Sequence, residues 1–87
     1  MLNRNGINRI LERMNCLERM KNKYDDRSVE LYQQGERERS AKLDHKVDLY
    51  EREIQGMEYT LKTLGLHVWL TREGEWVIPK DDILRAI

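Results

Sequence analysis

The feature that most constrains this chain is a heptad repeat of apolar residues between Leu43 and Leu64. Its members are Leu43, Val47, Tyr50, Ile54, Met57, Leu61 and Leu64, at intervals of 4, 3, 4, 3, 4 and 3 residues. This spacing predicts a helix over about 37–64 with a narrow apolar stripe at heptad positions a and d. Because such a stripe needs a second helix to cover it, the rest of the fold depends on where that helix comes from.

The N-terminal part of the chain supplies a helix with the same repeat. The pattern predicts it over about 6–33, with Asn3 or Asn5 as the N-cap. Its d positions are Ile10, Leu17, Tyr24 and Leu31, and its a positions are Ile7, Met14, Lys21 and Ser28. The two polar residues at a weaken the apolar stripe toward the end of this helix.

The polar segment around Gly35 either continues the helix as one rod or reverses it as a hairpin. Extending the first heptad register would place d at Glu38, His45 and Arg52, which are polar. A single rod would therefore turn its apolar stripe to another side, and a hairpin would not. We predict an antiparallel helical hairpin of coiled-coil type.

A hairpin centred between Gly35 and Glu36 pairs residues whose numbers add up to 71. The predicted pairs are Ile7/Leu64, Ile10/Leu61, Met14/Met57, Leu17/Ile54, Lys21/Tyr50, Tyr24/Val47, Ser28/Leu43 and Leu31/Ser40. Each pair joins an a position to a d position, which is the rule for antiparallel helices.

The charges beside the stripe indicate a second interface between helices. Across the hairpin, Glu18 would face Glu51 and Asp25 would face Asp44, which are like-charge pairs. In a four-helix bundle, a second copy would pair opposite charges instead. The candidate oligomer-interface residues are Leu11, Arg13, Met20, Arg27, Leu49, Glu51 and Glu58. We expect a homodimer or higher oligomer; the alternative is that these charges form a solvated face.

After Leu64 the period of the apolar residues changes from the helical value to two, which predicts a β-hairpin over about 67–78. A two-residue turn at Glu73-Gly74 would pair Arg72/Glu75, Thr71/Trp76, Leu70/Val77 and Trp69/Ile78. One face would then carry Val68, Leu70 and Val77, and the other would carry His67, Trp69, Trp76 and Ile78. A short helix over about 81–87, presenting Ile83, Leu84 and Ile87, would close the chain. The predicted class is α+β, mostly α, with residues 1–87 as one domain.

Both faces of the predicted β-hairpin over about 67–78, called the ribbon below, are apolar. Only one of these faces can lie on the helical hairpin. The candidate partner-binding residues are His67, Trp69, Arg72, Trp76 and Ile78. Three uses of the two tryptophans are open: the core of the protein, a self-association surface, or the binding site for another protein.

The composition excludes several classes of function. Sixteen Lys/Arg balance sixteen Asp/Glu, so no net field attracts nucleic acid or an anionic membrane. The single cysteine, Cys16, excludes an internal disulfide and a cysteine-based zinc site. The sequence shows no apolar run of signal-peptide or membrane-span length, so we expect a soluble, cytoplasmic protein.

No arrangement of residues in the sequence pairs a nucleophile with a base, so we expect neither enzyme activity nor a cofactor. Asp44, His45 and Asp48 are close on one helix, but such a group on a charged face is usually solvated rather than metal-binding.

Two functions remain. The first is a non-catalytic protein-binding module, a small regulator or inhibitor. The second is a binder of nucleic acid or nucleotides, with aromatic stacking on the ribbon and arginines from the first helix. The general plan is similar to small accessory proteins of phages and mobile elements, and this resemblance implies a protein that occludes a host protein.

Overall fold

A computed structural model describes residues 3–85 of the chain. It contains two long helices, α1 (Arg4–Gln33) and α2 (Arg37–Thr63), then strands β1 (Trp69–Leu70) and β2 (Trp76–Val77), and a short helix α3 (Lys80–Arg85). The described chain is 76% helical, so the predicted mostly-α α+β class is confirmed. α3 begins one residue before the predicted start, and residues 86 and 87 of the predicted tail helix lie outside the described residues.

The two long helices pack against each other as an antiparallel hairpin, as predicted. One continuous helix over 4–63 would be about 90 Å long at 1.5 Å per residue. The described residues instead measure 51 × 23 × 16 Å. The side chain of Asn3 starts α1 by accepting a hydrogen bond from the Gly6 backbone N–H at 2.9 Å. The N-cap is therefore Asn3 rather than Asn5.

Both long helices end in the same way, with a glycine in the left-handed conformation. Gly35 and Gly65 each have φ of +83°. After α1, the Glu36 N–H bonds the Leu31 carbonyl; after α2, the Leu66 N–H bonds the Leu61 carbonyl. These are Schellman motifs, which satisfy the last carbonyls of a helix and reverse the chain direction. The first motif makes the hairpin turn, and the second directs the chain toward the ribbon.

Most predicted a and d residues lie in the interface between α1 and α2. The buried ones are Ile7, Met14, Leu17, Leu31, Ile54 and Leu61. The pairing near the middle differs from the prediction, because Tyr24 stacks on Tyr50 with ring centroids 5.9 Å apart. Lys21, the predicted partner of Tyr50, extends to Glu18 instead.

Near the hairpin turn the interface is polar and narrow. Ser28 and Ser40 are both buried; the Ser40 hydroxyl donates to the Ser28 carbonyl at 3.0 Å. The Ser28 hydroxyl lies 2.5 Å from the Asp44 carboxylate. Ser28 therefore contacts residues on either side of Leu43, its predicted partner. Small hydroxyl side chains satisfy each other here and leave no buried polar group unpaired.

The end of α2 corrects one prediction. Leu64 was expected to pair with Ile7 in the core, but its side chain is 48% exposed. α2 ends at Thr63, and the Schellman motif turns the chain away from the interface between α1 and α2. Leu66 is therefore buried instead of Leu64, at 3% exposure. A leucine after the turn commonly packs on the third residue from the helix end, here Leu61.

The ribbon register is one residue away from the predicted register. Trp69 pairs with Val77 and Leu70 pairs with Trp76. The cause is the turn, which has three residues rather than two: Gly74 donates to the Thr71 carbonyl at 3.0 Å and has φ of +83°. A type I turn followed by a left-handed glycine is the usual three-residue β-hairpin loop. Side chains alternate between the two faces along a strand. A shift of one residue in the pairing therefore moves every side chain of one strand to the opposite face, relative to the side chains of the other strand.

Candidate protein-binding surface

The ribbon is fixed to α1 by one asparagine. The Asn15 side-chain oxygen accepts from the Trp76 backbone N–H at 2.6 Å, and its amide nitrogen donates to the Trp76 carbonyl at 3.1 Å. A side-chain amide carries both a carbonyl acceptor and N–H donors, so it can bond the N–H and the C=O of one residue. Asn15 therefore pairs with the outer edge of β2 as a third strand would.

A buried carboxylate holds the indole of the same residue. Glu18 is buried, and its Oε1 accepts from the Trp76 indole N–H at 3.0 Å. Its other oxygen lies 3.0 Å from the Lys21 ammonium. A buried charge is tolerated where it is both paired and hydrogen-bonded. Asn15 and Glu18 together fix the backbone and side chain of Trp76.

A second anchor joins the start of the ribbon to α3. The His67 backbone N–H donates to Asp82 Oδ2 at 3.0 Å, and His67 Nδ1 lies 2.8 Å from the same oxygen. Asp82 is buried, whereas the His67 side chain is exposed. α3 therefore fixes the backbone of the ribbon and leaves an imidazole at the surface.

The inner face of the ribbon belongs to the core. Val68, Trp76 and Ile78 are buried in one cluster with residues of both long helices. Trp76 and Ile78 were expected to share an exposed surface with Trp69. The observed register places them on the opposite face, where Trp76 is only 9% exposed.

The outer face of the ribbon carries Trp69, whose side chain is 48% exposed. Its cross-strand partner Val77 is half-buried beside it, and His67 is exposed two residues earlier. A shallow depression of about 440 Å³ adjoins Trp69 and is lined by Lys62 and Gly65 from the end of α2, with residues 66–69. Arg72 is exposed in the ribbon turn. The structure therefore brings His67, Trp69 and Arg72 to the surface and separates Trp76 and Ile78 from them.

The residues expected at a helical oligomer interface have mixed environments. Leu11 and Met20 are half-buried within the chain. Three charged candidates form ion pairs within the chain: Arg13 with Glu53, Arg27 with Glu30, and Glu58 with Lys62. Leu49 and Glu51 are exposed on α2. The structure contains one chain, so the expected oligomer remains a prediction.

Other surface features are less organised. Exposed apolar side chains on the helices are Val29, Tyr32, Leu49, Tyr59 and Leu84. A second depression of about 450 Å³ is lined by Arg4, Asn8, Ile78, Lys80, Ile83 and Leu84. Within residues 3–85, no group of three or more His, Cys, Asp or Glu side chains is placed to hold a metal ion. None of the helices in that range is long and apolar enough to cross a membrane.

Sequence analysis missed the residues that hold the ribbon in place. Asn15 and Glu18 lie at heptad positions b and e, which are usually solvated. The available signal was their spacing with Leu11, because Leu11, Asn15 and Glu18 follow at i, i+4 and i+7 and form a second stripe on α1. Asp82 was missed because a carboxylate in the first turn of a helix is an ordinary feature of helix ends.

Comparisons with protein-family models, with curated proteins and with solved structures found no match to this chain.

Proposed function

We propose that this chain is a non-catalytic protein-binding module, a small regulator or inhibitor, that contacts another protein through the outer face of its ribbon. The observation that carries the proposal is the exposed indole of Trp69. The core already has its own tryptophan in Trp76, so Trp69 is not needed to fill it. Tryptophan is among the residues most enriched in the hot spots of protein interfaces.

The anchoring of the ribbon supports this use of Trp69. Asn15 fixes β2 to α1, and Asp82 fixes the segment before β1 to α3. A backbone that is already fixed loses little further conformational entropy when its side chains bind a partner. The ribbon is therefore a rigid support for one exposed aromatic group.

The surroundings of Trp69 indicate the chemistry of a suitable partner. The depression next to the indole can accept an apolar side chain, and Val77 widens the apolar area. Arg72 forms no ion pair within residues 3–85, so its guanidinium is available for a carboxylate. The matching surface on a partner has an apolar side chain next to an acidic one.

Nucleic-acid binding is the alternative, and the arrangement of the aromatic residues favours it less. That function needs several exposed rings in a row beside a basic groove. Trp76 is buried, so the ribbon offers one exposed indole rather than two. Arg13, one of the arginines of α1 expected to hold phosphates, lies 3.6 Å from Glu53.

The test is a capture experiment with the immobilised chain and a lysate of the cells that contain it. We expect a protein partner that survives a change from about 50 to 500 mM salt, because apolar contacts depend weakly on ionic strength and phosphate contacts depend on it strongly. Trp69→Ala should reduce capture at least about tenfold, the size of a moderate hot-spot loss.

The matched control is Tyr59→Ala, which removes another exposed aromatic side chain on α2. Capture should be unchanged in this variant, and both variants should keep the wild-type circular dichroism spectrum. If Trp69→Ala binds as well as wild type, the proposed surface is wrong. If nuclease treatment or salt releases the captured material, the nucleic-acid alternative replaces the proposal.

A further inference from the structure

The two edges of the ribbon have different environments. On the β2 edge, Asn15 bonds both backbone groups of Trp76. On the β1 edge, the corresponding groups belong to Leu70, the cross-strand partner of Trp76. The direction in which the Leu70 groups point follows from the hydrogen-bond pattern.

Thr71 and Glu75 are a hydrogen-bonded pair, since the Thr71 N–H donates to the Glu75 carbonyl at 2.8 Å. Antiparallel strands alternate between bonded and non-bonded pairs, so Leu70 and Trp76 form a non-bonded pair whose backbone groups point away from each other. The bonds from Trp76 to Asn15 agree with this alternation. The N–H and C=O of Leu70 therefore point outward, at the β1 edge.

This edge carries neither lysine nor proline, two of the usual protections against strand pairing, and β1 itself is two residues long. No side chain or backbone group of residues 3–85 bonds the outward groups of Leu70. Natural edge strands are commonly protected by lysines, prolines or bulges. The stretch Val68, Trp69, Leu70 and Thr71 contains no charged residue and no proline. The Leu70 side chain is itself 42% exposed.

We propose that a second copy of this chain pairs with the β1 edge, so that two ribbons join into one four-stranded antiparallel sheet. The two-fold axis would pass beside Trp69. Val68 and Leu70 lie two residues apart, so both direct their backbone groups to the same edge. The backbone of Val68 would bond the backbone of the partner's Leu70, and the backbone of Leu70 would bond that of the partner's Val68.

The stretch is complementary to itself, and this favours a second copy over an unrelated peptide. In the proposed register, Trp69 lies opposite the partner's Trp69 in a non-bonded pair, where cross-strand side chains are closest and aromatic pairs stabilise most. Val68 and the partner's Leu70 would meet on the inner face as an apolar pair. His67 would face the partner's Thr71, and Arg72 would face the partner's Leu66, so no like charges meet.

This dimer goes beyond the proposed function, because it uses backbone groups of β1 rather than the outer face of the ribbon. Pairing occupies the backbone edge of β1 and leaves the outer face of each ribbon open. Two Trp69 side chains would then lie next to each other on one larger apolar surface. The contact with a foreign protein can exist without the dimer, and the dimer can exist without that contact.

The test compares Leu70→Lys with Leu49→Lys. Leu49 on α2 is 48% exposed and Leu70 is 42% exposed, so the two leucines are closely matched. Leu49 belongs to the rival interface, the one between helices. A short edge contact predicts a dissociation constant in the micromolar range or weaker. Sedimentation of the purified chain at about 200 μM should therefore give twice the 10.5 kDa mass for wild type. We expect Leu70→Lys to stay at 10.5 kDa, because lysine at an edge opposes pairing, and Leu49→Lys to sediment as wild type.

A second measurement covers the case in which Leu70→Lys unfolds. In wild type, hydrogen exchange of the Leu70 amide should slow at least about tenfold between low and high concentration, while the amide of Glu73, exposed in the turn outside the pairing, should not. A wild-type chain that stays monomeric at high concentration would overturn the proposal. A dimer that Leu49→Lys abolishes and Leu70→Lys preserves would also overturn it, in favour of the helical bundle. Concentration-independent exchange at Leu70 would have the same consequence.

Discussion

At the scale of single residues, the position of the ribbon depends on the Asn15 side chain. Two backbone groups of Trp76 point toward α1 and are part-buried there. A buried backbone group without a partner costs about 1–3 kcal/mol. Asn15 supplies both partners from one side chain, so its removal leaves two groups unsatisfied.

We predict that Asn15→Ala lowers the free energy of unfolding by about 2–4 kcal/mol, since two part-buried backbone groups lose their partners. Urea unfolding followed by circular dichroism measures the change. The matched control is Asn22→Ala, one heptad later on α1, where the asparagine is exposed. This control should change stability by less than about 1 kcal/mol, in either direction. Equal effects of the two substitutions would contradict the role given to Asn15.

The role of Asn15 shows what the heptad pattern alone leaves open. The repeat identified the side of α1 that faces α2, because that contact is periodic along both helices. The contact between α1 and the ribbon involves one turn of α1 and two polar side chains, Asn15 and Glu18. A polar residue that is buried by an element far away in sequence has no periodic signal of its own.

At the scale of elements, the glycines differ in backbone conformation and not in the space around them. A Cβ added at Gly35, Gly56 or Gly65 would meet no atom within 4 Å, so space does not distinguish these positions. The backbone conformation distinguishes them, because Gly35 and Gly65 have φ of +83° and Gly56 lies within α2. A left-handed conformation costs a non-glycine residue about 1–2 kcal/mol. In a helix interior, by contrast, glycine is about 1 kcal/mol less favourable than alanine.

Alanine substitution should therefore have opposite signs at two of these glycines. We predict that Gly56→Ala raises the free energy of unfolding by about 0.5–1 kcal/mol, and that Gly35→Ala lowers it by about 1–2 kcal/mol. Thermal unfolding of the two variants beside wild type measures both. Destabilisation by Gly56→Ala would mean that α2 contacts another molecule closely at this position, which makes the variant informative about association as well.

The sequence was sufficient for the elements and not for their exact connections. The phase of the repeats at Gly35 selected the hairpin, and the change of period after Leu64 located the ribbon. The ribbon register was missed by one residue, because two-residue and three-residue turns both accept the sequence Arg72-Glu73-Gly74. That small error moved Trp69 and Trp76 from one face to two, and it changed the candidate binding surface.

At the scale of the whole molecule, the hairpin and the ribbon share one core. Ile7, Met14, Leu17 and Leu61 of the long helices form a cluster with Leu66, Val68, Trp76 and Ile78 of the C-terminal part. The N-terminal half of α1 and the C-terminal half of α2 therefore share their core with the ribbon. A common core predicts that helices and ribbon unfold together.

Leu66 and Leu64 offer a direct test of this coupling. Leu66→Ala removes a buried side chain at the junction and should cost about 2–5 kcal/mol, whereas Leu64→Ala should cost less than about 1 kcal/mol because Leu64 is exposed. In a Trp69→Phe background, Trp76 is the remaining tryptophan, so its fluorescence reports the ribbon while circular dichroism reports the helices. We expect Leu66→Ala to lower both transition midpoints in urea together. If the fluorescence transition shifted while the helical transition stayed at its wild-type position, the ribbon would be an independent unit and the shared core would be contradicted.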